Sequence, residues 1–529
     1  MVFFIIFSSR LSHPEVKEIH IPKRTEISKN HYKIGNNWIK KNEHGIWEMY
    51  IEGDDYERGL IYGELAKELV QYQEEVFVNQ INTLVPSNTW QQLIRLMLGF
   101  FNKELVNNIP EENLREIYGV SKSFSDKYDY IATKYQRILN YHAAHDIGHA
   151  LNDYSMVGCT SFGLKNEKSS DGKLLIGRNF DFYVGDEFAK EKLVLFVKPK
   201  KGIPFVSYSW AGFTGVVSGL NQNGLSVTIN ASKSDLPTSS KTPISILARE
   251  ILQYATTIDE AIKIAKKRQT FVSETIMVSS KKDNRIVLIE KSPSKMGVYE
   301  SKNDIIVCAN HYQSNTFKKD NININNIKES DSHYRFDKVN QLLSQSEKFD
   351  LQSVASILRN QKGIYNDTLG MGNPRAINQL IAHHSVIIQP SNLIFYVSTQ
   401  NYQLGEYVGY DLNSIFNSQK TKQLLIEKDP FVDSKNYQKF NYYKKIKKDI
   451  SNYIMFDKTL TLSENKINVF IKSNSESYIT YEVLGNYFKT KKNKLRAIKY
   501  YNIALTKKLA SKQVKEEILE KIMDCKSMK

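Results

Sequence analysis

Residues 158–163 read Gly-Cys-Thr-Ser-Phe-Gly, and residues 178–182 read Arg-Asn-Phe-Asp-Phe. Between these two β-prone runs lies the dipeptide Asp171-Gly172, which is typical of a β-hairpin turn. Such a hairpin returns the arginine and the aspartate of the second run to the cysteine of the first. Because residues three apart point to opposite faces of a regular strand, we expect a bend or bulge that brings both charged side chains to one site.

The three side chains are those that nucleophilic catalysis by a cysteine requires. A thiolate is the attacking species, a neighbouring guanidinium favours the thiolate, and a carboxylate can orient the attacking group. We therefore interpret Cys159 as a candidate nucleophile, with Arg178 and Asp181 flanking it. The alternative is a buried cysteine beside an ordinary salt-bridged hairpin.

This pattern resembles the N-terminal-nucleophile hydrolases of the penicillin acyltransferase (peptidase C45), choloylglycine hydrolase and acid ceramidase group. Members of that group cleave their own precursor before a cysteine, whose freed α-amine then acts as the base for its own thiol. The resemblance implies that the Gly158–Cys159 bond is cut and that Cys159 is the nucleophile. It also implies an α+β fold, a four-layer αββα sandwich, and chemistry that requires no metal and no organic cofactor.

Two stretches further along the chain carry the same resemblance. Residues 307–312, Val-Cys-Ala-Asn-His-Tyr, resemble the family's strand end that supplies an asparagine to the oxyanion hole, which implies this role for Asn310. A rigid amide donor at a strand end can meet the developing alkoxide, and Asn230 is the candidate for a second such contact. Residues 330–336, Ser-Asp-Ser-His-Tyr-Arg-Phe, resemble the family's approach to an arginine that opens a helix, so Arg335 becomes the second guanidinium of the site.

Each of these assignments has a plain structural alternative. The two asparagines can be ordinary strand or turn residues, and Arg335 can be a surface arginine on its helix. The position of the candidate nucleophile also departs from one branch of the group. In bile-salt hydrolases the nucleophile lies near the start of the translated chain, whereas here 158 residues precede it. That position fits the acyltransferase and ceramidase branches and puts bile-salt specificity in doubt.

Composition describes a globular protein of more than one folding unit. A chain of 529 residues is too long for one ordinary core, and 41% hydrophobic with 25% charged residues is typical of a soluble globular protein. Only three cysteines occur, so they cannot pair completely, and no CxxC metal site is present. The cysteine content therefore favours a reactive thiol over a disulfide framework.

We expect five segments along the chain. Residues 1–37 form an N-terminal segment with a candidate remnant signal peptide, and residues 38–158 form a helical segment that becomes a separate chain after processing. Residues 159–415 are the catalytic domain, residues 416–450 a basic linker and helix, and residues 451–529 a helical region. Within the catalytic domain, the asparagine-rich stretch at 318–328 is expected to be an inserted loop near the site entrance.

The last hundred residues differ from the rest in charge and in pattern. Residues 430–529 carry 22 Lys or Arg against 10 Asp or Glu, but arginine is scarce and no nucleic-acid motif appears, so no nucleic-acid partner is expected. One set of small and aromatic residues fits a single tetratricopeptide repeat: Tyr481, Leu484, Gly485, Phe488, Ala497, Tyr501 and Ala504. Because a lone repeat cannot bury its own faces, we expect this region to pack on the catalytic domain, and it is a candidate surface for a protein partner.

Two other stretches allow alternatives. Residues 1–9 resemble the apolar core of a signal peptide without the basic residues before it, so either the true start lies upstream or the chain is not exported; we expect a periplasmic or extracellular location rather than a cytoplasmic one. His142, His145 and His149 share one helical face and could bind zinc, but no HExxH spacing exists and a packed or solvated face is favoured.

The sequence thus favours a self-processing cysteine hydrolase or acyltransferase that acts on a small-molecule amide or acyl-thioester. A second hypothesis is a lipid amidase of the ceramidase type, which a long apolar pocket would favour. A third, from another class, is a non-enzymatic binding protein that recruits a partner through the tetratricopeptide-like helices. The joint presence of Cys159, Arg178, Asp181, Asn310 and Arg335 argues against this third hypothesis.

Overall fold

The computed structural model describes residues 11–85, 87–151, 157–235, 239–381, 383–417, 423–456 and 459–528 of the chain. These residues form two β-sheets and many helices, which confirms the predicted α+β class. The strands, in chain order, are β1 Thr25–Ser28, β2 His31–Ile34, β3 Asn37–Lys41, β4 Trp47–Gly53, β5 Val157–Leu164, β6 Leu175–Phe182, β7 Lys192–Pro199, β8 Phe205–Trp210, β9 Ser218–Asn221, β10 Leu225–Ala231, β11 Glu274–Ser280, β12 Arg285–Lys291, β13 Met296–Tyr299, β14 Ile305–Cys308, β15 His384–Gln389, β16 Ile394–Ser398, β17 Tyr407–Asp411 and β18 Leu424–Ile426.

The α-helices within the described residues are, in chain order, α1 Asp55–Leu65, α2 Lys67–Leu84, α3 Asn88–Phe101, α4 Glu111–Ser121, α5 Lys134–Leu151, α6 Ile244–Tyr254, α7 Ile258–Lys267, α8 Asn321–Glu329, α9 Ser332–Leu343, α10 Leu351–Leu358, α11 Leu412–Asn417, α12 Lys435–Phe456, α13 Glu464–Ser473, α14 Tyr478–Thr490, α15 Lys494–Leu505 and α16 Lys512–Ser527. None of the helices in this part of the chain combines the length and the apolar character that crossing a bilayer requires.

The eighteen strands form one large and one small sheet. The large sheet has eleven strands in the order β1-β2-β3-β4-β7-β8-β9-β10-β11-β12-β13. Its β4–β7 pair is parallel, which brings the N-terminal strands onto the sheet beside strands that follow Cys159 in the chain. The small sheet has seven strands in the order β14-β5-β6-β15-β16-β17-β18, so β5 lies between β14 and β6.

The predicted hairpin exists, but it has no bulge. Val157–Leu164 pairs with Leu175–Phe182 in one unbroken antiparallel register. Gly172 has a φ of +70° in the connecting segment, a left-handed conformation that glycine adopts readily. Because the register is regular, the expected bend is wrong, and the side chains of Arg178 and Asp181 point to opposite faces of the sheet.

Apolar side chains pack both faces of each sheet. A central cluster contains alternate residues of β7 and of β15, such as Val194 and Val386, so the two sheets face each other. A second cluster packs the other face of the large sheet against α1, α2 and α4 to α7. A third cluster packs the other face of the small sheet against α9 and α10. The hairpin that carries Cys159 therefore has the large sheet on one side and helices on the other.

Several helix boundaries differ from the pattern-based expectation. Asp320 caps the N-terminus of α8 through its side chain, so the stretch at 318–328 is mostly helix and the predicted inserted loop is wrong. Similarly, the helical residues 244–267 are divided into α6 and α7, because Thr257 and Glu260 form a capping box that starts α7. In both places a single capping side chain decides the boundary, and the apolar periodicity does not report it.

The C-terminal residues form five helices, α12 to α16, that contact the segment around residues 373–375. The amide of Asn373 donates to the Lys508 carbonyl at 2.8 Å, and Arg375 Nε donates to the Ala510 carbonyl at 3.1 Å. Within this region α14 and α15 cross closely at Gly485, where a Cβ would lie 2.9 Å from Tyr501 Cζ. The region thus packs on the preceding part of the chain as expected, whereas its assignment as a tetratricopeptide repeat stays a prediction. The linker at 418–422 and residues 1–9 lie outside the described residues.

Candidate active site

Cys159 lies near the start of β5, on the face of the small sheet that looks toward the large sheet. Its side chain is buried, with 1% of the residue exposed, and it is paired with Phe180 across the hairpin. Burial raises the pKa of the Cys159 thiol to about 11, although Arg178 opposes this shift. The predicted thiolate-favouring guanidinium is thus beside the sulfur, but desolvation outweighs it, and the thiol in the uncut chain is protonated at neutral pH.

Arg178 is held between the two sheets by fixed partners. Its Nη2 lies 3.9 Å from Cys159 Sγ and also donates to the carbonyl of Ile229 on β10. Its Nη1 donates to Ser218 Oγ on β9 at 2.7 Å. These bonds connect the small sheet to the large one and leave the guanidinium little freedom to turn away from the sulfur.

Asp181 lies on the opposite face of the hairpin, directly across from Gly158. It is fully buried, and Gln379 Nε2 donates to its Oδ2 at 3.2 Å. Burial raises the pKa of the Asp181 carboxyl to about 8, against the opposing effect of Arg335 and Arg178. The carboxyl is therefore largely protonated at neutral pH, and Asp181 pairs with Gly158 on the face of the hairpin opposite the Cys159 side chain.

Asn310 and Arg335 hold the backbone of Cys159. The Cys159 N–H donates to Asn310 Oδ1 at 3.0 Å, and Arg335 Nη1 donates to the Cys159 carbonyl at 2.6 Å. Arg335 Nη2 also donates to Asn310 Oδ1 at 2.7 Å, which closes a small network around one residue. Arg335 is buried on α9, so the alternative of a surface arginine is wrong. These two residues fix the Cys159 backbone on both sides of its α-carbon.

The amide of Asn230 is engaged away from the sulfur. Its Nδ2 donates to the carbonyls of Cys308 and Ala309, each at 3.2 Å, and its Oδ1 accepts from Ser161 Oγ at 2.7 Å. The Asn310 Nδ2 likewise donates to the Ala231 carbonyl at 2.9 Å. In the uncut chain both amides therefore tie strands together, and their role as oxyanion donors stays a prediction.

The histidine face that resembled a zinc site is in part a packed one. His142 is buried, its Nδ1 donates to the Ile138 carbonyl at 2.8 Å, and its Nε2 accepts from the Thr214 N–H at 2.9 Å. Both ring nitrogens of His142 are thus engaged within the protein, while the side chains of His145 and His149 lie outside the described residues. Among the described residues no cluster of three or more His, Cys, Asp or Glu side chains could hold a metal ion.

A small apolar cavity lies beyond the end of the hairpin. Its volume is about 40 Å³, and its lining includes Phe182 of β6, Trp210 of β8 and Phe77 of α2. Phe182 stacks on Phe180, the residue paired with Cys159, at 5.5 Å between ring centroids. The cavity is therefore separated from the candidate nucleophile by the Phe180 and Phe182 rings, and its lining is largely aromatic.

Sequence reasoning missed several residues that position the site. Ser218 and Gln379 contact Arg178 and Asp181, yet both come from distant strands or loops and carry no local motif. His384 Nε2 lies 3.1 Å from Ser218 Oγ, and its Nδ1 lies 2.9 Å from Nδ1 of the adjacent His383, so both buried histidines join the same network. Only the register of the two sheets brings these residues to the hairpin.

Comparison with known proteins finds a family match that includes most of the candidate site residues. Residues 166–380 match the family model described as acyl-coenzyme A:6-aminopenicillanic acid acyl-transferase. These residues resemble a domain of this acyltransferase family. The predicted resemblance to penicillin acyltransferase is thereby confirmed. The matched part of the acyltransferase-family domain includes Arg178, Asp181, Asn230, Asn310 and Arg335, and it begins after Cys159.

Curated relatives are distant and are matched over part of their length. An uncharacterized protein of Archaeoglobus fulgidus is 25% identical over 54% of this chain and 53% of its own length. Protein dcd1A of Dictyostelium discoideum is 24% identical over 51% of this chain and 63% of its own length. N-acylethanolamine-hydrolyzing acid amidase of Caenorhabditis elegans is 26% identical over 26% of this chain and 40% of its own length. The chain spans roughly half the length of the curated relatives it matches.

Solved structures of similar chains include two hydrolases. The Caenorhabditis elegans N-acylethanolamine-hydrolyzing acid amidase ortholog has a TM-score of 0.33 and 19% identity, and covers 44% of this chain and 93% of its own. A variant of conjugated bile acid hydrolase from Clostridium perfringens has a TM-score of 0.32 and 14% identity, and covers 51% of this chain and 98% of its own.

Proposed function

We propose that this protein is a self-processing cysteine N-terminal-nucleophile hydrolase or acyltransferase that acts on a linear amide or thioester. The observation that carries the proposal is the network of Arg335, Asn310 and Arg178 around Cys159, three side chains that belong to the segment 166–380 matched by the acyltransferase family model. The network holds the backbone and the sulfur of one residue at once. An ordinary buried cysteine needs no such support.

The first reaction would be cleavage of the Gly158–Cys159 bond by Cys159 itself. The sulfur attacks the Gly158 carbonyl carbon, the C–N bond breaks, and the thiol proton passes to the departing Cys159 nitrogen. Water then hydrolyses the resulting thioester, which returns the thiol and leaves a Gly158 carboxylate. Arg335 and Asn310 favour this step because they fix the Cys159 backbone while the sulfur and the carbonyl approach each other.

The freed α-amine would then act as the base for substrate turnover. A thiol with a pKa of about 11 is a poor nucleophile at neutral pH without a neighbouring base. The α-amino group has an ordinary pKa of about 8, which suits it to take the thiol proton and return it to the leaving amine. Water or an amine acceptor then removes the acyl group from Cys159, so no metal or organic cofactor enters any step.

Asn310 and Asn230 would stabilise the oxyanion of the tetrahedral intermediate. Their present hydrogen bonds to backbone carbonyls place both amides within the strands that surround Cys159. Cutting the chain removes the Gly158 carbonyl from the site and leaves room for a substrate carbonyl in its place. Each preorganised donor of this kind contributes about 3 to 4 kcal/mol to catalysis in known hydrolases.

A lipid amidase of the ceramidase type is the second candidate function. One curated relative is named for hydrolysing N-acylethanolamines, whereas the cavity beside Phe182, at about 40 Å³, is too small to hold a long acyl chain. A non-enzymatic binding protein is disfavoured, because a buried charge such as Arg178 and a buried polar group such as Asp181 cost stability and need a reason to be present. The proposal includes a four-layer αββα sandwich, which the three apolar clusters around the two sheets support.

Intact mass under denaturing conditions tests the proposal. We expect wild type to yield two fragments, residues 1–158 and 159–529, and Cys159→Ala to remain whole. Cys308→Ala is the matched control, because Cys308 is an equally buried thiol on the neighbouring strand β14 and should leave cleavage unchanged. A wild-type chain that turns over an amide while remaining whole would contradict the α-amine mechanism.

A further inference from the structure

The side chain of Gln379 lies against the bond that the proposed function cuts. Gln379 Nε2 donates to Asp181 Oδ2 at 3.2 Å, and the residue is only 3% exposed. A Cβ placed on Gly158 would lie 3.1 Å from Gln379 Cδ and closer still to its Nε2. The amide group therefore fills the space over Gly158 that any larger residue would need, and it contacts the carboxyl on the paired residue of β6.

The backbone on either side of Gln379 is held by hydrogen bonds. The Asn378 N–H donates to the Asn360 carbonyl at 2.9 Å, and the Asn378 side chain donates to the Tyr402 carbonyl at 3.0 Å. Asn179, on β6, donates to the Ile377 carbonyl at 3.0 Å. The next residue, Leu380, is buried with a φ of +53°, a conformation that non-glycine residues rarely adopt. The segment thus presents Gln379 to the hairpin in one fixed orientation.

Several groups around Asp181 shift the pKa of its carboxyl in opposite directions. Among the described residues its Oδ1 has no partner within hydrogen-bond distance, and Gln379 donates to the other oxygen. The Gln403 side chain, in the segment before β17, also acts on the carboxyl and lowers its pKa. The charged groups Arg178 and Arg335 lower the same pKa, Asp331 before α9 raises it, and Cys159 on β5 interacts with the carboxyl electrostatically. The bond from Gln379 therefore holds one oxygen of a carboxyl that a second amide also approaches.

We propose that Gln379 is a positioning residue for both bond cleavage and turnover, and that it acts through Asp181. The inference rests on the proposed function and extends it to a residue outside the cysteine, arginine and asparagine set. Asp181 pairs with Gly158, whose bond to the Cys159 nitrogen is the one cut, so a carboxyl held by Gln379 is positioned for the α-amine that cleavage frees. A donated hydrogen bond also favours the ionised carboxyl, which is the form that can hold a protonated amine.

Pulse-labelled synthesis of the full chain, followed on denaturing gels, measures the half-life of the uncut form. Gln379→Ala and Gln379→Glu should each lengthen it at least tenfold, whereas Gln361→Ala, a half-buried glutamine on the same segment, should match wild type. Gln379→Glu keeps the shape of the side chain, so slow cleavage in that variant reports the lost donor and not a packing defect. In the cut protein, the acid limb of the kcat profile should move to higher pH in Gln379→Ala, with KM little changed.

A double-substitution cycle separates a direct contact from a general loss of stability. The added methyl group of Gly158→Ala displaces the amide of Gln379. Adding Gln379→Ala to that variant should therefore slow cleavage little further. If the two substitutions acted independently, their separate fold-reductions in cleavage rate would multiply. This proposal alone is overturned if wild type cuts, Gln379→Ala cuts at the same rate, and the pH profiles of the two proteins coincide. A wild-type chain that never cuts overturns the proposed function and this proposal together.

Discussion

At the scale of single residues, the protonation of Asp181 links the site to the stability of the fold. Its carboxyl has an ordinary pKa of 3.8 and a pKa of about 8 in the folded, uncut chain, because burial disfavours the charge. The folded state therefore binds this proton more tightly than the unfolded state does. Its contribution is fully present below about pH 4 and is lost as the pH rises through 8.

Asp181→Asn should consequently flatten the pH dependence of stability. In the uncut Cys159→Ala background, we expect the asparagine variant to gain at least about 1 kcal/mol relative to its parent between pH 5 and pH 8, since one pKa unit corresponds to about 1.4 kcal/mol. Urea unfolding at the two pH values measures the change. Asp433→Asn, at an exposed aspartate, is the control and should leave the slope as it is. An identical slope in Asp181→Asn would show that the carboxyl is ionised throughout.

The identities of the site residues could be predicted from the sequence, but their geometry could not. Cys159, Arg178, Asn310 and Arg335 do come together, because the hairpin and the ends of β14 and α9 meet at one point. The sequence did not reveal that the Asp181 side chain lies on the face of β6 opposite Arg178. The expectation of a bulge assumed that both charges must reach the sulfur, whereas the peptide group of Cys159 is accessible from either face.

At the scale of secondary-structure elements, buried ion pairs fix the helices that cover the large sheet. Glu116 of α4 is fully buried and accepts from Arg58 of α1 and from Arg249 of α6. Although burial alone would raise it, the pKa of Glu116 is held down to about 2 by these two guanidinium groups. Its stabilising contribution is therefore present above its ordinary pKa of 4.5 and is lost as the pH falls toward 2.

Glu116→Gln should destabilise the protein strongly at neutral pH. Removing the carboxylate leaves two buried guanidinium groups without their anion, which typically costs about 3 to 5 kcal/mol. Urea unfolding should show that the free energy of unfolding of Glu116→Gln is much lower than that of wild type at pH 7, and less so at pH 3. Glu111→Gln is the matched control on the same helix, because its exposed pair with Arg115 contributes little. Equal stability of Glu116→Gln and wild type at pH 7 would contradict this account.

The boundaries of helices and strands could be predicted where the apolar pattern extends over many residues. They were poorly predicted where a single capping side chain determines where the helix begins. The strands around Phe205–Trp210 and Glu274–Ser280 follow their apolar runs closely. By contrast, the cap at Asp320 turned an asparagine-rich stretch into α8, since a side-chain bond to the first turn offsets weak helix propensity. The approach of Gln379 to Gly158 had no sequence signal, because it depends on two segments more than two hundred residues apart.

At the scale of the whole molecule, the C-terminal helices support the segment that carries Gln379. Leu380, the next residue, belongs to the same buried apolar cluster as Phe440 of α12 and Tyr478 of α14. Gly370 lies directly against the backbone of Ser477, and the Asn474 side chain donates to the Met371 carbonyl at 2.8 Å. The helices therefore bury one face of the 369–380 segment, whose other end contacts the hairpin at Gly158.

Shortening the chain after Asp433 tests this connection, because it removes α12 to α16 and keeps β18 in the small sheet. We expect the melting temperature to fall by at least about 4 °C, since the apolar cluster around Leu380 becomes exposed. Cleavage at Gly158 should also slow, because Gln379 loses the packing that orients it. The full-length double variant Asn373→Ala, Arg375→Ala removes two contacts to the segment between α15 and α16 and should show a smaller defect of the same kind. Lys489→Ala, at an exposed ion pair within the helices, should show none. If the shortened chain melts like wild type and cuts at the same rate, the C-terminal helices are a separate partner-binding module and do not support the site.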